Sequence, residues 1–118
     1  MKTIKLLLCM VLAVFVSGCW VADRLVNVVD VTRSETIILK KQSGQGHIGS
    51  ISIKGSGNID GKADVILMLN GAPYKVAAIS GPVEFDWNGD WYSDEAEIRY
   101  SPVSVKAGKL TLSYKLQD

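Results

Sequence analysis

Cysteine is nearly absent from this chain: only Cys9 and Cys19 occur, and none stands between Trp20 and Asp118. Everything after Cys19 therefore lacks a thiol nucleophile, a cysteine-ligated metal and a disulfide. Histidine is almost as scarce. His47 is the single one, in a glycine-rich stretch with no carboxylate beside it in sequence. A zinc site needs three or more ligands, so one histidine without cysteine argues against it. A serine activated by His47 would remain, yet no Gly-x-Ser-x-Gly pattern occurs, and Gly46-His47-Ile48-Gly49-Ser50 only scatters the same residue types. No Gly-Lys-Ser/Thr element is present to cradle a phosphate. Glu84, Glu95 and Glu97 could supply paired carboxylates for glycoside hydrolysis, but so small a β-domain seldom carries the cleft. Charge of one sign is missing too, with 13 basic against 12 acidic residues, so no global field attracts nucleic acid. No apolar run reaches the roughly 20 residues of a membrane-spanning helix. These absences read against an enzyme.

What is present begins at the amino end. Lys2 and Lys5 precede an apolar core from Leu6 to Val16, which ends in Val16-Ser17-Gly18-Cys19. A basic start, a short apolar core and small residues at its end form a secretion signal. The four residues resemble the lipobox of bacterial lipoproteins. That resemblance implies cleavage before Cys19 and acyl chains (palmitate among them) on the new terminus, with Cys19 as the lipidation site. It divides the chain into a signal peptide at 1–18, a short tether at 19–24 and a single β-domain at 25–118. It also implies attachment to a membrane, where each buried methylene contributes about 0.8 kcal/mol. If the source is a Gram-negative cell, Trp20 in place of Asp after the cysteine implies passage to the outer membrane, facing the periplasm or the surface. The mature chain would carry 11 basic and 12 acidic residues, Lys2 and Lys5 being lost.

The remainder reads as strand. Leu110, Leu112, Tyr114 and Leu116 alternate with Thr111, Ser113 and Lys115; Ala96, Ile98 and Tyr100 alternate with Glu95, Glu97 and Arg99. Val83, Phe85 and Trp87 alternate with Glu84 and Asp86. A period of two marks a strand with one buried face. Val65 to Leu69 is apolar throughout, as in a central strand covered on both faces. Asn70-Gly71 follows it, the strongest short hairpin signal, because a type I′ turn needs positive φ at both residues. Val- and Ile-rich segments at 25–31 and 36–40 supply two more strands. Helical periodicity is missing apart from a weak tendency at 22–25. Gly44, Gly46, Gly49, Gly55, Gly57 and Gly61 read as bulges and tight turns in a curved sheet. The fold expected is all-β, a small antiparallel β-sandwich or barrel of about eight strands.

One stretch, Asp86 to Glu97, concentrates polar chemistry. Asp86, Asn88, Asp90, Asp94 and Glu97 fall at the first, third, fifth, ninth and twelfth places of a loop that resembles the EF-hand, and so could hold Ca²⁺. Trp91 occupies the place of the invariant glycine, and no helices flank the loop. The competing reading is a hairpin turning at Asn88-Gly89, with Trp87 and Trp91 as core or edge aromatics and its strands bringing Glu84, Asp86, Glu95 and Glu97 together. At the turn tip, Trp91 and Tyr92 would instead be exposed aromatics, the residue types enriched at binding hot spots. The leading functional reading is accordingly a non-catalytic interaction module on the membrane. Trp91, Tyr92, Asp90, Asp94, Glu95 and Glu97 would contact an envelope or cell-wall protein. Two others stay open: a calcium-dependent ligand-binding module, and an inhibitor of a cell-wall glycosidase. Ile79-Ser80-Gly81 before an aromatic and acidic stretch resembles the Ser-Gly region of lysozyme-inhibitor lipoproteins.

Overall fold

The computed structural model describes residues 23–118, so the expected signal peptide, the lipobox-like residues 16–19 and the expected lipidation site Cys19 lie outside the described residues. Six strands make one antiparallel sheet: β1 (Arg24–Asn27), β2 (Glu35–Lys40), β3 (Ser50–Leu69), β4 (Ala72–Asp90), β5 (Glu95–Pro102) and β6 (Ala107–Gln117). The fold is all-β and antiparallel, a sheet curled into a half-barrel. It reaches this with six strands where about eight were expected, because β3 and β4 each run through glycines that read locally as breaks. Arg24 and Leu25, expected to lean helical, open β1.

Register explains the curl. β4 pairs β3 along its whole length, from Ser50↔Asp90 to Leu69↔Ala72. On the other edge of β3, β6 covers Ser50 to Asp60 and β5 covers Ala63 to Leu67. A strand has two edges, so β5 and β6 lie end to end in one row. β1 on β6 and β2 on β5 form a fourth row in the same way. The sheet is thus four rows wide and about 20 residues long, with the β5/β6 and β1/β2 rows interrupted at mid-length and a bulge in β3 at the same level.

That line is a crease. β3 carries two extra residues there, Asp60 and Gly61, between Ile59↔Gly81 and Lys62↔Ser80. Gly57, Gly61, Gly81 and Gly108 adopt positive φ at the same level. A Cβ on Gly57 would overlap the Lys109 carbonyl, and one on Gly61 the Ser104 carbonyl. Only glycine allows rows to approach so closely. The 103–106 connection is stitched to the bulge by Val103 N–H to Lys62 O at 2.8 Å and Lys106 N–H to Asp60 O at 2.8 Å.

The two halves fold toward each other across this crease. Tyr74 near the start of β4 and Trp91 just beyond its end would stand about 55 Å apart on a straight strand. Their ring centroids are 6.5 Å apart. Likewise Arg24 Nη1 at the start of β1 donates to Lys40 O at the end of β2 at 3.2 Å. The alternating apolar residues all fall inside: Ile51, Ile53, Ile59, Val65 and Leu67 of β3 meet Ala96, Ile98, Leu110, Leu112 and Leu116 in one core. Asn70 and Gly71 hold φ of 52° and 77°, as their type I′ turn requires. The expectation of cover on both faces at Val65 to Leu69 is met only in part. Val65, Leu67 and Met68 are buried, but Ile66 is half-buried and Leu69 exposed, because β3 is central in the sheet and not between layers.

The 28–34 connection is pinned from within. Tyr100 Oη donates to Val31 O at 2.6 Å, and Asp30 Oδ1 accepts from the Thr32 hydroxyl and amide. Burial, and secondarily the Asp30 charge, raises the Tyr100 phenol above its ordinary value of 10.0. A raised value means that the phenol's contribution is complete below pH 10 and is lost as pH climbs through the folded value. Tyr100→Phe is expected to flatten the alkaline limb of the stability profile and to cost about 1–2 kcal/mol at neutral pH, read by urea denaturation at several pH values. Gly61→Ala is expected to cost about 3 kcal/mol or more, lowering the melting midpoint by about 12 °C or more. Gly89→Ala, with open space at its Cβ position, should stay within about 0.5 kcal/mol in the same calorimetric comparison.

Candidate functional site

The folded halves meet at a seam opposite the crease, and two chain segments cross it. Residues 41–49 run from the end of β2 to the start of β3, and 91–94 run from the end of β4 to the start of β5. They are tied together where Trp91 N–H donates to Gly49 O at 3.1 Å and Lys41 N–H to Asp94 O at 3.0 Å. The first crossing is fastened to β6 by Gln45 Nε2 to Leu116 O at 2.8 Å and Gly49 N–H to Gln117 O at 2.8 Å. Gly46 N–H also meets the Asp118 carboxylate, which holds that group below the ordinary carboxylate value.

Trp91 closes the seam. Its ring is 5 % exposed, and its Nε1–H donates to Glu95 O at 3.0 Å. Tyr74 reaches it because a bulge inserts Tyr74 between Leu67↔Lys75 and Met68↔Pro73 and re-aims its side chain. Of the two readings of Trp91 the core one holds and the exposed anchor does not; the second aromatic, Tyr92, is the exposed one at 79 %.

A cleft of about 450 Å³ opens over Trp91 between Leu69, Asn70 and Tyr74 on one lip and Asp90, Tyr92 and Ser93 on the other. A second, of about 220 Å³, adjoins it and is walled by Ile38 and Leu69 with Glu95 and Glu97 at its rim. The structure thus brings Asp90, Trp91, Tyr92, Glu95 and Glu97 to one region, and adds Tyr74, Leu69 and Ile38. Sequence reading missed these three because they lie outside the 86–97 stretch: Ile38 sits opposite Glu97 on β2, and Leu69 and Tyr74 flank the Asn70-Gly71 turn. Asp94 stands in the same crossing but faces Lys41, its Oδ2 3.3 Å from Nζ. Glu97 is held by Arg99 Nε at 2.6 Å. Asp90 and Glu95 have no ion-pair partner among the described residues.

The acidic hairpin does not form as expected. Asn88 and Gly89 lie within β4, opposite Ser52 and Ile51, and β4 pairs only β3, while β5 lies across β3 and pairs β2. Glu84 and Asp86 are thereby separated from Glu95 and Glu97. The calcium loop fails for the same reason. Asp86, Asn88 and Asp90 occupy alternate places on an extended strand, so Asp86 and Asp90 lie about 13 Å apart along it. One ion with oxygen contacts of about 2.3–2.6 Å cannot span them. Asp86 Oδ1 instead accepts from Asn88 Nδ2 at 2.9 Å. Among the described residues no three of His, Cys, Asp or Glu gather to hold a metal. His47 is exposed in the 41–49 crossing. Ile79 is buried, Ser80 is exposed and Gly81 sits on the crease, so the Ser-Gly pair lies mid-strand.

Trp91→Ala is expected to remove about 3–5 kcal/mol of folding stability by urea denaturation, whereas Tyr92→Ala should change it by less than about 0.5 kcal/mol. No protein-family model matches the sequence, and no curated protein matches it, so the functional reading rests on the geometry above.

Proposed function

We propose that the chain is an envelope lipoprotein, held on the outer membrane by acyl chains on Cys19, whose β-domain is a non-catalytic binding module. The observation that carries the reading is the seam. Tyr92 and Tyr74 are 79 % and 52 % exposed beside Leu69 and Ile38, with Asp90 and Glu95 unneutralised at the rim. Aromatic and aliphatic anchors inside a charged rim are the make-up of a protein-contact patch. Unpaired carboxylates around it steer a cationic partner and set its orientation. Trp91 supports the patch from beneath and does not itself touch the partner.

The anchor and the patch fit one geometry. Cys19 precedes Asp23 by four residues, a reach of at most about 14 Å. Arg24 starts β1 at the seam end of the sheet, and just before it Asp23 Oδ1 lies 3.8 Å from Lys115 Nζ. A partner held at the seam would therefore be held close to the membrane surface.

Two measurements test the two halves of the proposal. Cys19→Ser is expected to move the protein from the membrane to the soluble fraction; retention in the membrane would remove the lipid anchor. A photo-crosslinking residue at position 92 is expected to give an adduct in cells that the same residue at position 56, on the outer sheet face, does not. Equal adducts at both positions, or none at 92 in a variant that melts normally, would remove the seam as the contact surface.

A further inference from the structure

The long edge of β4 leads beyond the seam. β4 pairs β3 on one side, and no described strand pairs with its other side. Proteins normally guard such an edge with proline, bulges or inward-pointing charge. The first half of β4 carries all three: Pro73 and Pro82, the bulge at Tyr74, and Lys75 at the inward position opposite buried Leu67. From Val83 to Asp90 none of these occurs, and the register with β3 runs without a shift. This stretch is eight residues of flat, open edge.

Hydrogen-bond phase fixes what the edge presents. Trp91 N–H donates to Gly49 O next to the pair Ser50↔Asp90. In an antiparallel ladder the backbone groups of successive residues point to opposite sides. Odd-numbered residues from 83 to 91 therefore bond β3, and Glu84, Asp86, Asn88 and Asp90 turn their N–H and C=O groups to the open side. The side chains of these four are exposed on the outer face, while Phe85 and Trp87 remain half-buried on the inner face, their ring centroids 4.8 Å apart. Glu84, Asp86 and Asp90 have no ion-pair partner among the described residues.

We infer that Val83–Asp90 accepts an added β-strand from another protein, and that this strand alternates lysine or arginine with apolar residues. Residues of the added strand directly opposite Glu84, Asp86 and Asp90 share the outer face, where basic side chains pair with the carboxylates. The residues between them fall on the inner face against Phe85 and Trp87 and extend the core by one row. Main-chain bonds supply affinity and the alternation supplies specificity. A second copy of this chain is the wrong occupant, because β4 against β4 would oppose acid to acid.

The test uses the full chain in zwitterionic detergent and a seven-residue peptide alternating Lys and Val, with a peptide of the same composition in a Lys block and a Val block as control. Amide exchange at Glu84, Asp86, Asn88 and Asp90 is expected to slow at least tenfold with the alternating peptide and not with the block peptide. Asn88→Pro removes an edge N–H that β3 does not use and should abolish the effect with melting unchanged. Should that variant misfold, Glu84→Lys with Asp86→Lys should weaken peptide affinity at least tenfold. Equal protection by both peptides would reduce the edge to a charge effect and overturn the inference. So would protection without peptide accompanied by a doubled sedimentation mass, or no protection at millimolar peptide. Tyr92→Ala should leave peptide binding intact, which separates failure of the edge from failure of the seam.

Discussion

The structure depends on one long hairpin folding over itself. A single sheet buries one face only if a second layer covers it, and this chain has no helix among its described residues to provide that layer. The sheet covers its own face instead. Two opposite steric demands follow. At the crease, rows approach until no Cβ fits at Gly57, Gly61 or Gly108. At the seam the halves diverge, and the largest side chain available, Trp91, fills the gap against Tyr74. Stability comes from packing, for the four ion pairs among the described residues are surface contacts that contribute little each.

Folding over also decides where polar chemistry ends up. Every chain segment that crosses between the halves does so at the crease or at the seam. Crease connections are short and stitched to the β3 bulge, or pinned by Tyr100 to Val31 O. Seam crossings lie over the open end of the core, which is why clefts gather around Trp91. The acidic residues of the 84–97 stretch divide between that open end and the outer face of β4, so no single acidic cluster forms there.

Much of the fold was legible in the sequence because it is written at short range. The alternation at 95–100 and 110–116 places Ala96, Ile98, Tyr100, Leu110, Leu112 and Leu116 in the core where it points them. Asn70-Gly71 turns as its chemistry requires. What escaped was long-range. Gly57 and Gly61 look like turn glycines within their own stretch, yet the reason for each is a carbonyl more than forty residues away. Trp91 looks like a hairpin tip because Asn88-Gly89 precedes it, but its burial comes from Tyr74 on the opposite lip. One signal could have corrected the pairing. Counting outward from Asn70-Gly71 sets Val83–Asp90 against Ile51–Asn58, one residue from the observed partners Ser50–Gly57 because bulges intervene, and so points to β3, not β5, as the partner of β4.

The open acidic edge bears on partner choice even before a partner is identified. Exposed carboxylates on a strand cost little while solvated, and they oppose any acidic or identical strand that approaches. The same residues therefore disfavour pairing of β4 with a second copy of itself and favour positive charge, without a device that blocks pairing outright. Pro73, Pro82, the bulge at Tyr74 and the inward charge of Lys75 guard the first part of β4 against strand addition. The second half excludes by charge alone, and exclusion by charge is conditional. A fold concerned only with solubility would gain from a proline or a bulge between Val83 and Asp90, which face no bonding demand on the open side. Instead the chain keeps that edge straight, bonded correctly to β3, and lined with half-buried aromatics, a combination that leaves strand addition open to one class of sequence.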